Sequence, residues 1–581
     1  MRIGPKTLRN RFYQVPHCTG FGSAKPGSQA AHRGTKAEGG WAAVCTEYAP
    51  VDFDSEEAPY ISAQLLDEGD LANLALVVEA AHEHGSLAGI ELTHVGLHAG
   101  RRESRWVGIA PSQLASDYEP STVAKGMEAD DIRRVQAQWA RAARDACSIG
   151  FDIVYVYGGH SYLLSQFLSP FYNKRTDGYG GSLANRARMW LETLEAVREA
   201  VGDECAVAVR IGVDLTPGIA VDDALEFVRL ADDLVDLWDV NVGSIAEWVR
   251  DSGPSRFYPE GHQLEWTGRV REATGKPIVG VGRYTNPDTM ADAIRSGKLD
   301  LIGAARPSIA DPFLPRKVEE GRYGEIRECI GCNICISKSE GGHHLGCTQN
   351  ATAGEEYRRG WHPERFERAA NADRDVLVVG AGPAGMECAI VLAKRGLRRV
   401  HLADAGSDIG GIMRWVPTLP GLGEWARVVN WRRVQLSRLK NVEVLTGLEL
   451  DAAGVREYGA EIVVCATGAH WSPDGLNAVT HEPIPGAGAT LAHVLTPEQL
   501  VLEGKRPAGE RVVVFDGDGY FMATCLAELL ALEGHRVELV TLFDQVAHVA
   551  EETLEAPRVR ERLHEVGVAL RRSAVVDRIE P

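Results

Sequence analysis

Six short apolar runs, each followed by a turn and a polar-faced helix, occupy roughly the first 320 residues, and that repetition leaves few folds open. The runs are 87–92, 151–156, 206–211, 237–242, 277–281 and 299–303, and the helices between them include 131–148 and 187–200. Strands that alternate with helices pair in parallel and have both faces covered. This many in about 300 residues predicts a closed (β/α)8 barrel over residues 1–320. Reactive side chains in such a barrel sit just after the carboxyl ends of the strands. The unusual residues stand there: Glu91 and His94, Tyr157 and His160, Arg210, Trp248 and Asp251, Gly282 with Arg283, and Arg306.

Beyond the barrel, Cys329, Cys332 and Cys335 are separated by two residues each, and Cys347 follows after eleven more in Gly346-Cys347-Thr348-Gln349-Asn350. Three thiolates at that spacing wrap a compact centre and a fourth returns from a loop, which is the ligand arithmetic of a [4Fe-4S] cube. A structural zinc site is the alternative. It is disfavoured because a tetrahedral ion needs only four ligands and three in one turn would crowd it. The cluster segment and its linker are expected over 321–373.

After a charged linker, a strand at 376–379 runs into Gly380-Ala381-Gly382-Pro383-Ala384-Gly385, then a helix to Arg395 and a second strand ending at Asp404. A glycine fingerprint between strand and helix, with an acid about twenty residues on, holds ADP or an adenine dinucleotide: pyrophosphate on the helix N-terminus, ribose on the acid. Gly380, Gly382, Gly385 and Asp404 are the candidate ligands. Gly410-Gly411 and the run 464–468 resemble the flavoprotein disulfide-reductase fold, so this Rossmann-like domain is set at 374–495. A second such unit, over 496–581, carries Gly517 in its turn and Met522 at its third glycine position. Met522 would obstruct the close packing that a cofactor site needs, and this unit is expected to bind nothing tightly. The chain stops at Pro581 before the strands that would close both units, so the fold is expected to be incomplete at its C-terminus.

With 62 Lys and Arg against 81 Asp and Glu, the net charge is −19. That balance argues against nucleic acid and anionic membrane as partners. No apolar run is long enough to span a bilayer and none follows Arg2 to form a signal peptide, so a cytoplasmic setting is expected. Of the eleven cysteines, Cys45, Cys147, Cys205, Cys388, Cys465 and Cys525 stand singly in apolar surroundings. Buried free thiols are expected there, as in a reducing compartment.

Gly150-Phe151-Asp152, 160–164, 166–170, 173–177 and 179–182 together resemble the signature of the old yellow enzyme family of FMN barrels. Joined to the cysteines and to the run 347–361, nearly the whole chain is similar to the trimethylamine dehydrogenase family, which includes dimethylamine and histamine dehydrogenases. The resemblance implies an FMN barrel, a [4Fe-4S] cluster, a bound ADP and a homodimer. The implied activity is oxidation of a secondary or tertiary amine such as trimethylamine to an iminium or aldehyde product. Electrons would pass from FMN to the cluster and on to an external electron-transferring flavoprotein.

The same resemblance assigns roles. Cys18 matches the cysteine that carries 6-S-cysteinyl FMN, which implies a covalent flavin. Arg210 matches the cation beside flavin N1, Glu91 an acceptor for the ring edge where reductases more often have glutamine, and Gly282, Arg283 and Arg306 the phosphate cradle. Tyr157, His160 and Asp251 match a hydrogen-bonded tyrosine, histidine and aspartate of the amine dehydrogenases, a device for keeping the amine deprotonated. Tyr48 and Trp248 match two walls of an aromatic bowl. Ser339 and Thr93 stand where two further tryptophans would be, so a wider, more polar cage is expected. Two other readings stay open: an NAD(P)H-dependent ene reductase of the 2,4-dienoyl-CoA reductase type, with Tyr162 as proton donor, and an electron-transfer flavoprotein with no substrate of its own.

Overall fold

Eight strands close into a parallel barrel: β1 (Phe12–Gln14), β2 (Ala43–Pro50), β3 (Leu87–Thr93), β4 (Ile153–Gly158), β5 (Ala206–Val213), β6 (Leu237–Val242), β7 (Ile278–Gly280) and β8 (Leu301–Gly303). Each pairs with the next, and β8 returns to β1 through Ile302 opposite Phe12. The computed structural model describes residues 1–55, 62–100, 104–117, 122–214, 218–244, 253–477 and 480–580. Trp248 and Asp251 lie outside the described residues.

Strand alternation explains how the barrel makes both a core and a site. Val154, Val156, Val207, Val209, Ile211, Trp238 and Val240 point outward and pack with helix residues such as Ile132, Val135, Trp139, Leu194 and Phe227. Ile153, Tyr155, Ala206, Ala208 and Leu237 point inward and pack with Tyr13 and Cys45. The small inward alanines leave room for the two tyrosines, and the Tyr155 hydroxyl donates to that of Tyr13 at 2.9 Å. Successive inward positions fall two residues apart. Continuing each inward series toward the carboxyl end therefore reaches Tyr157, Arg210, Asp239 and Asn241, and on β3, by way of Gly89, Glu91. The pairing Tyr157 opposite Arg210 and Arg210 opposite Asp239 makes these residues cross-strand neighbours.

On β2 the register shifts between Cys45 and Tyr48. Such an irregularity re-aims side chains. Here Glu47 meets the helix α1 (Pro26–Glu38) while Tyr48 faces the barrel mouth.

The chain divides into two units: Met1–Pro254, Tyr258–Cys329 and Asn333–Glu364 form the first, and Ser255–Phe257, Ile330–Cys332 and Arg365–Pro581 the second. The second unit holds a four-stranded parallel sheet in the order Val442–Thr446, Arg399–Asp404, Asp375–Val379, Ile462–Cys465. It also holds a three-stranded parallel sheet of Arg511–Asp516, Arg536–Thr541 and Ala569–Arg571. Helices Pro383–Lys394 and Phe521–Leu532 follow the strands Asp375–Val379 and Arg511–Asp516. Within this unit Arg256 pairs with Glu555 at 2.7 Å, both side chains 1% exposed, and the Arg256 N–H donates to the Gly331 carbonyl at 3.0 Å. The ion pair thereby anchors the turn that carries Cys332.

Some expectations need correction. Cys147 and Cys205 are joined in a disulfide with Cα atoms 6.5 Å apart. Cys147 ends the helix Ala129–Ser148 and Cys205 precedes β5, so neighbouring βα units bring them together. Cys465 is exposed and Cys388 only half-buried. The thiols thus do not argue for a reducing compartment. Phe151 and Asp152 precede β4, which starts at Ile153, although the Asp152 N–H donates to the Ala88 carbonyl at 2.8 Å and its own carbonyl accepts from the Ala206 N–H at 2.9 Å. Among the described residues no helix is long and apolar enough to cross a membrane.

Candidate active site

One cavity of the first unit opens at the carboxyl ends of the barrel strands. Its walls include His17, Cys18, Tyr48, Glu91, Tyr157, His160, Tyr162, Arg210, Gly282, Arg283, Arg306 and Ser339, which the sequence had singled out or flanked, together with Asn241, Gln263 and Glu340, which it had not. Thr93 is not among the lining residues. It is fully buried, and its carbonyl accepts from the Val51 N–H and the Ser55 hydroxyl, each at 3.0 Å.

Arg210 is the electrostatic centre of the cavity. Its Nη1 donates to Glu91 Oε1 at 3.0 Å and to the Pro16 carbonyl at 3.2 Å. Its Nε lies 3.8 Å from Asp239 Oδ2. In the amide orientation that satisfies both partners, the Asn241 oxygen accepts from Arg210 Nε at 2.6 Å. The guanidinium also sits 5.7 Å from the centre of the Tyr157 ring. A cation held this rigidly in a shielded site suits an electron-rich group.

Beside it, the Tyr157 hydroxyl and His160 Nδ1 are hydrogen-bonded to each other. His160 and Ser161 have φ of 51° and 58°, a left-handed turn that such residues adopt only when their surroundings demand it. The turn brings the His160 ring within 5.7 Å of Tyr157 and 5.9 Å of Tyr162, while Tyr157 and Tyr162 meet edge to face at 5.4 Å. Three aromatic side chains and a polar pair thus share one wall.

On the other side, Arg283, 6% exposed, donates to the carbonyls of Cys329 at 3.2 Å and Tyr258 at 2.9 Å. Arg306, 8% exposed, donates to the Pro254 carbonyl at 2.8 Å and to Asn333 Oδ1. At Gly282 any side chain would be pressed to within 2.9 Å of the Gly261 Cα, so the wall there is bare backbone. Three buried guanidiniums around one largely apolar cavity fit FMN, whose phosphate needs forked donors and whose ring system needs apolar faces.

The cysteines divide between the units. Cys329, Cys335 and Cys347 belong to the first and Cys332 to the second. Cys335 and Cys347 join one apolar cluster with Phe21, Ile309 and Leu345, and the Gln349 N–H points at Cys347 Sγ at 3.4 Å. Among the described residues no three His, Cys, Asp or Glu side chains stand close enough to hold a single metal ion. An iron–sulfur cube is larger than a single ion, and thiolates in apolar surroundings with N–H donors to sulfur suit it.

In the second unit the glycine fingerprint separates into three physical roles. Gly380 has φ of 101°, and a Cβ there would meet the Ala466 carbonyl oxygen at 2.2 Å. A Cβ on Gly385 would lie 1.8 Å from the Gly380 oxygen, so it permits close packing of helix on strand. A Cβ on Gly382 would meet nothing within 4 Å, as expected where a ligand approaches the backbone. Asp404 is oriented by accepting from the N–H groups of Ala381 at 2.7 Å and Gly406 at 2.8 Å. The corresponding turn near Gly517 is different. Thr541 ends the next strand where an acid would be needed, a Cβ on Gly519 would meet the Phe543 ring at 2.6 Å, and Met522 is 2% exposed in the core.

Sequence reasoning also missed the face that α1 turns to the interior. Gln29, His32, Arg33 and Lys36 recur at the helical spacing usually taken by apolar residues, yet none is more than 3% exposed. The spacing was a usable signal: a polar stripe where an apolar one belongs.

Residues 1–325 match the model of the NADH:flavin oxidoreductase / NADH oxidase family, 375–416 the FAD binding domain and 495–581 the OYE-like second alpha/beta domain. The chain is 50% identical over 596 residues to the dimethylamine dehydrogenase of Hyphomicrobium sp. (strain x), covering 100% of this chain and 80% of that one. Its structure resembles histamine dehydrogenase from Rhizobium sp. 4-9, with a TM-score of 0.96 and 42% identity over 100% of this chain and 84% of that one. It also resembles the 6-hydroxypseudooxynicotine amine oxidase of Pseudomonas geniculata N1, with a TM-score of 0.95 and 43% identity over 100% and 87%.

The open space before Gly382 gives a clean test. Gly382→Val should fold with an unchanged circular dichroism spectrum and yet release no adenine nucleotide on denaturation, where the parent protein releases about one per chain. Retention of the nucleotide by the variant would remove Gly382 from the site.

Proposed function

The chain belongs to the NADH:flavin oxidoreductase / NADH oxidase family, and we propose that within it the protein is an iron–sulfur flavoprotein amine dehydrogenase acting on a secondary or tertiary amine. The observation that carries this reading is the Tyr157–His160 pair on the wall that Arg210 also lines. The similarity to dimethylamine and histamine dehydrogenases supports it. FMN bound in the cavity would accept the hydride equivalent, and a [4Fe-4S] cluster on Cys329, Cys332, Cys335 and Cys347 would pass electrons singly to an external electron-transferring flavoprotein.

The protein's own residues then have distinct tasks. An ammonium lacks the lone pair that helps expel hydride, so the substrate must react as the neutral amine. Tyr157 takes the ammonium proton as its own passes to His160 Nδ1. Asp251, carried over from the resemblance, orients His160. Tyr48 and Tyr162 hold the methylated cation on arrival, each aromatic face contributing about 0.5–2 kcal/mol, and Trp248 is assigned the same role. Arg210 stabilises negative charge as it develops, with Glu91 fixing the guanidinium. Arg283, Arg306 and the Gly282 backbone hold the phosphate. Ser339, whose hydroxyl donates to the Ile336 carbonyl at 3.0 Å, lines the cavity without filling it. A bulkier or hydrogen-bonding amine therefore fits at least as well as trimethylamine. ADP or an adenine dinucleotide at Gly382 takes no part in the chemistry.

Two experiments test this reading. Tyr157→Phe should slow flavin reduction by dimethylamine about 100-fold or more in stopped flow, while N-methylated amino acids and histamine should serve the parent protein alongside trimethylamine. A Tyr157→Phe protein reduced at the parent rate would remove the tyrosine from proton transfer. On acid precipitation the yellow colour should stay with the protein, through Cys18. Colour in the supernatant would rule out the covalent bond.

A further inference from the structure

α1 carries buried charge behind the cavity wall formed by His17 and Cys18. Lys36, wholly buried, donates from Nζ to His17 Nε2 at 2.9 Å, and His17 Nδ1 in turn donates to the Val15 carbonyl at 3.0 Å. Arg33 Nη1 also reaches the ring, 3.1 Å from Nε2 and 3.2 Å from Nδ1, and the Gln14 amide lies 3.1 Å from Nδ1. Arg33, also wholly buried, donates to the His17 carbonyl at 2.7 Å and to Glu47 Oε2 at 2.9 Å. Lys36 and Arg33 thus grip one residue of the wall, through its ring and through its backbone.

The charges in this layer can be counted. Glu47 accepts from Arg33 and Gln29, and Glu356 pairs with His32 at 3.0 Å and accepts from the Gly354 N–H at 2.8 Å. Burial pushes the His17 pKa well below its ordinary value and that of His32 down to about 4, so both rings are neutral. Burial, and after it Arg33, also pushes the Lys36 pKa well below its ordinary value, against the pull of Glu356, Cys335 and Glu47. Burial likewise pushes the Glu47 pKa up and the Arg33 pKa down, so two carboxyl groups face two basic groups, Arg33 and Lys36, in one layer. A buried charge is retained only where such partners offset its desolvation.

We propose that Lys36 is a positioning residue for the flavin: acting through His17, it holds the Cys18 wall in place and sets a basic group behind it that, protonated, favours the reduced cofactor. Gaining two electrons and one proton leaves the flavin with one negative charge, and a nearby buried cation lowers the free energy of that product. The inference rests on FMN occupying the cavity and not on the identity of the amine.

The test is a mediated dithionite titration of the FMN-loaded holoprotein, followed by flavin absorbance. Lys36→Met should lower the equilibrium constant for two-electron reduction about tenfold, which is about 30 mV in the midpoint. Lys36→Arg, which keeps the charge, should restore most of that shift. Glu47→Gln removes a negative charge from the same layer and should move the midpoint in the opposite direction. An unchanged midpoint in Lys36→Met, or an equal fall in Lys36→Arg, overturns the proposal. Should Lys36→Met fail to accumulate as folded protein, Glu47→Gln decides alone, and a null or downward shift overturns it. No amine enters the titration, so a protein that shows these shifts but oxidises no amine keeps this inference and loses only the reaction proposed above.

Discussion

A guanidinium taken out of water must find compensating partners, and Arg210 finds them in Glu91, Asp239 and Asn241. Three strands, β3, β5 and β6, have to be in register for that cluster to form, with β4 between β3 and β5 supplying Tyr157. The two-residue alternation that packs Tyr155, Ala208 and Leu237 into the barrel core is the same one that brings these polar residues to its mouth. The stability of the barrel interior and the geometry of the cavity therefore follow from one constraint. Losing the register would expose the core and bury an unpaired charge together.

The distribution of charge extends the point. The chain as a whole carries −19, yet Arg210, Arg283 and Arg306 converge on one cavity, and Arg33 and Lys36 lie buried behind its wall. A strongly acidic protein that spends buried cations in one place is prepared for an anionic group there. A phosphate and a ring that gains negative charge on reduction meet that description. The surface charge bears on partners and solubility, and the interior charge on chemistry.

Much of this was legible in the sequence, for identifiable reasons. β6 spans the expected residues because an alternating run bounded by turns has little freedom to shift. β1 and β2 were not foreseen. β1 is three residues long, and β2 carries Thr46, Glu47 and Tyr48 where an apolar strand was sought. The fingerprint at Gly380, Gly382 and Gly385 was legible because each glycine answers a separate steric demand. Thr93 was assigned to the pocket by correspondence alone; its backbone carbonyl, at the end of β3, bonds to Val51 and Ser55. The Cys147–Cys205 disulfide was invisible because it depends on two βα units becoming neighbours. The polar stripe of α1 was visible as a pattern but had no meaning until the residue it grips, His17, was seen on the cavity wall.

The central claim is that this barrel uses its flavin to oxidise amines and is not a nicotinamide-dependent reductase. Anaerobic mixing of the purified holoprotein with dimethylamine, and separately with NADPH, while recording the flavin absorbance, tests it directly. The account predicts rapid bleaching by the amine and none at a comparable rate by NADPH. Bleaching by NADPH with the amine inert would contradict it and return the cavity, with Tyr162 as proton donor, to the ene reductases.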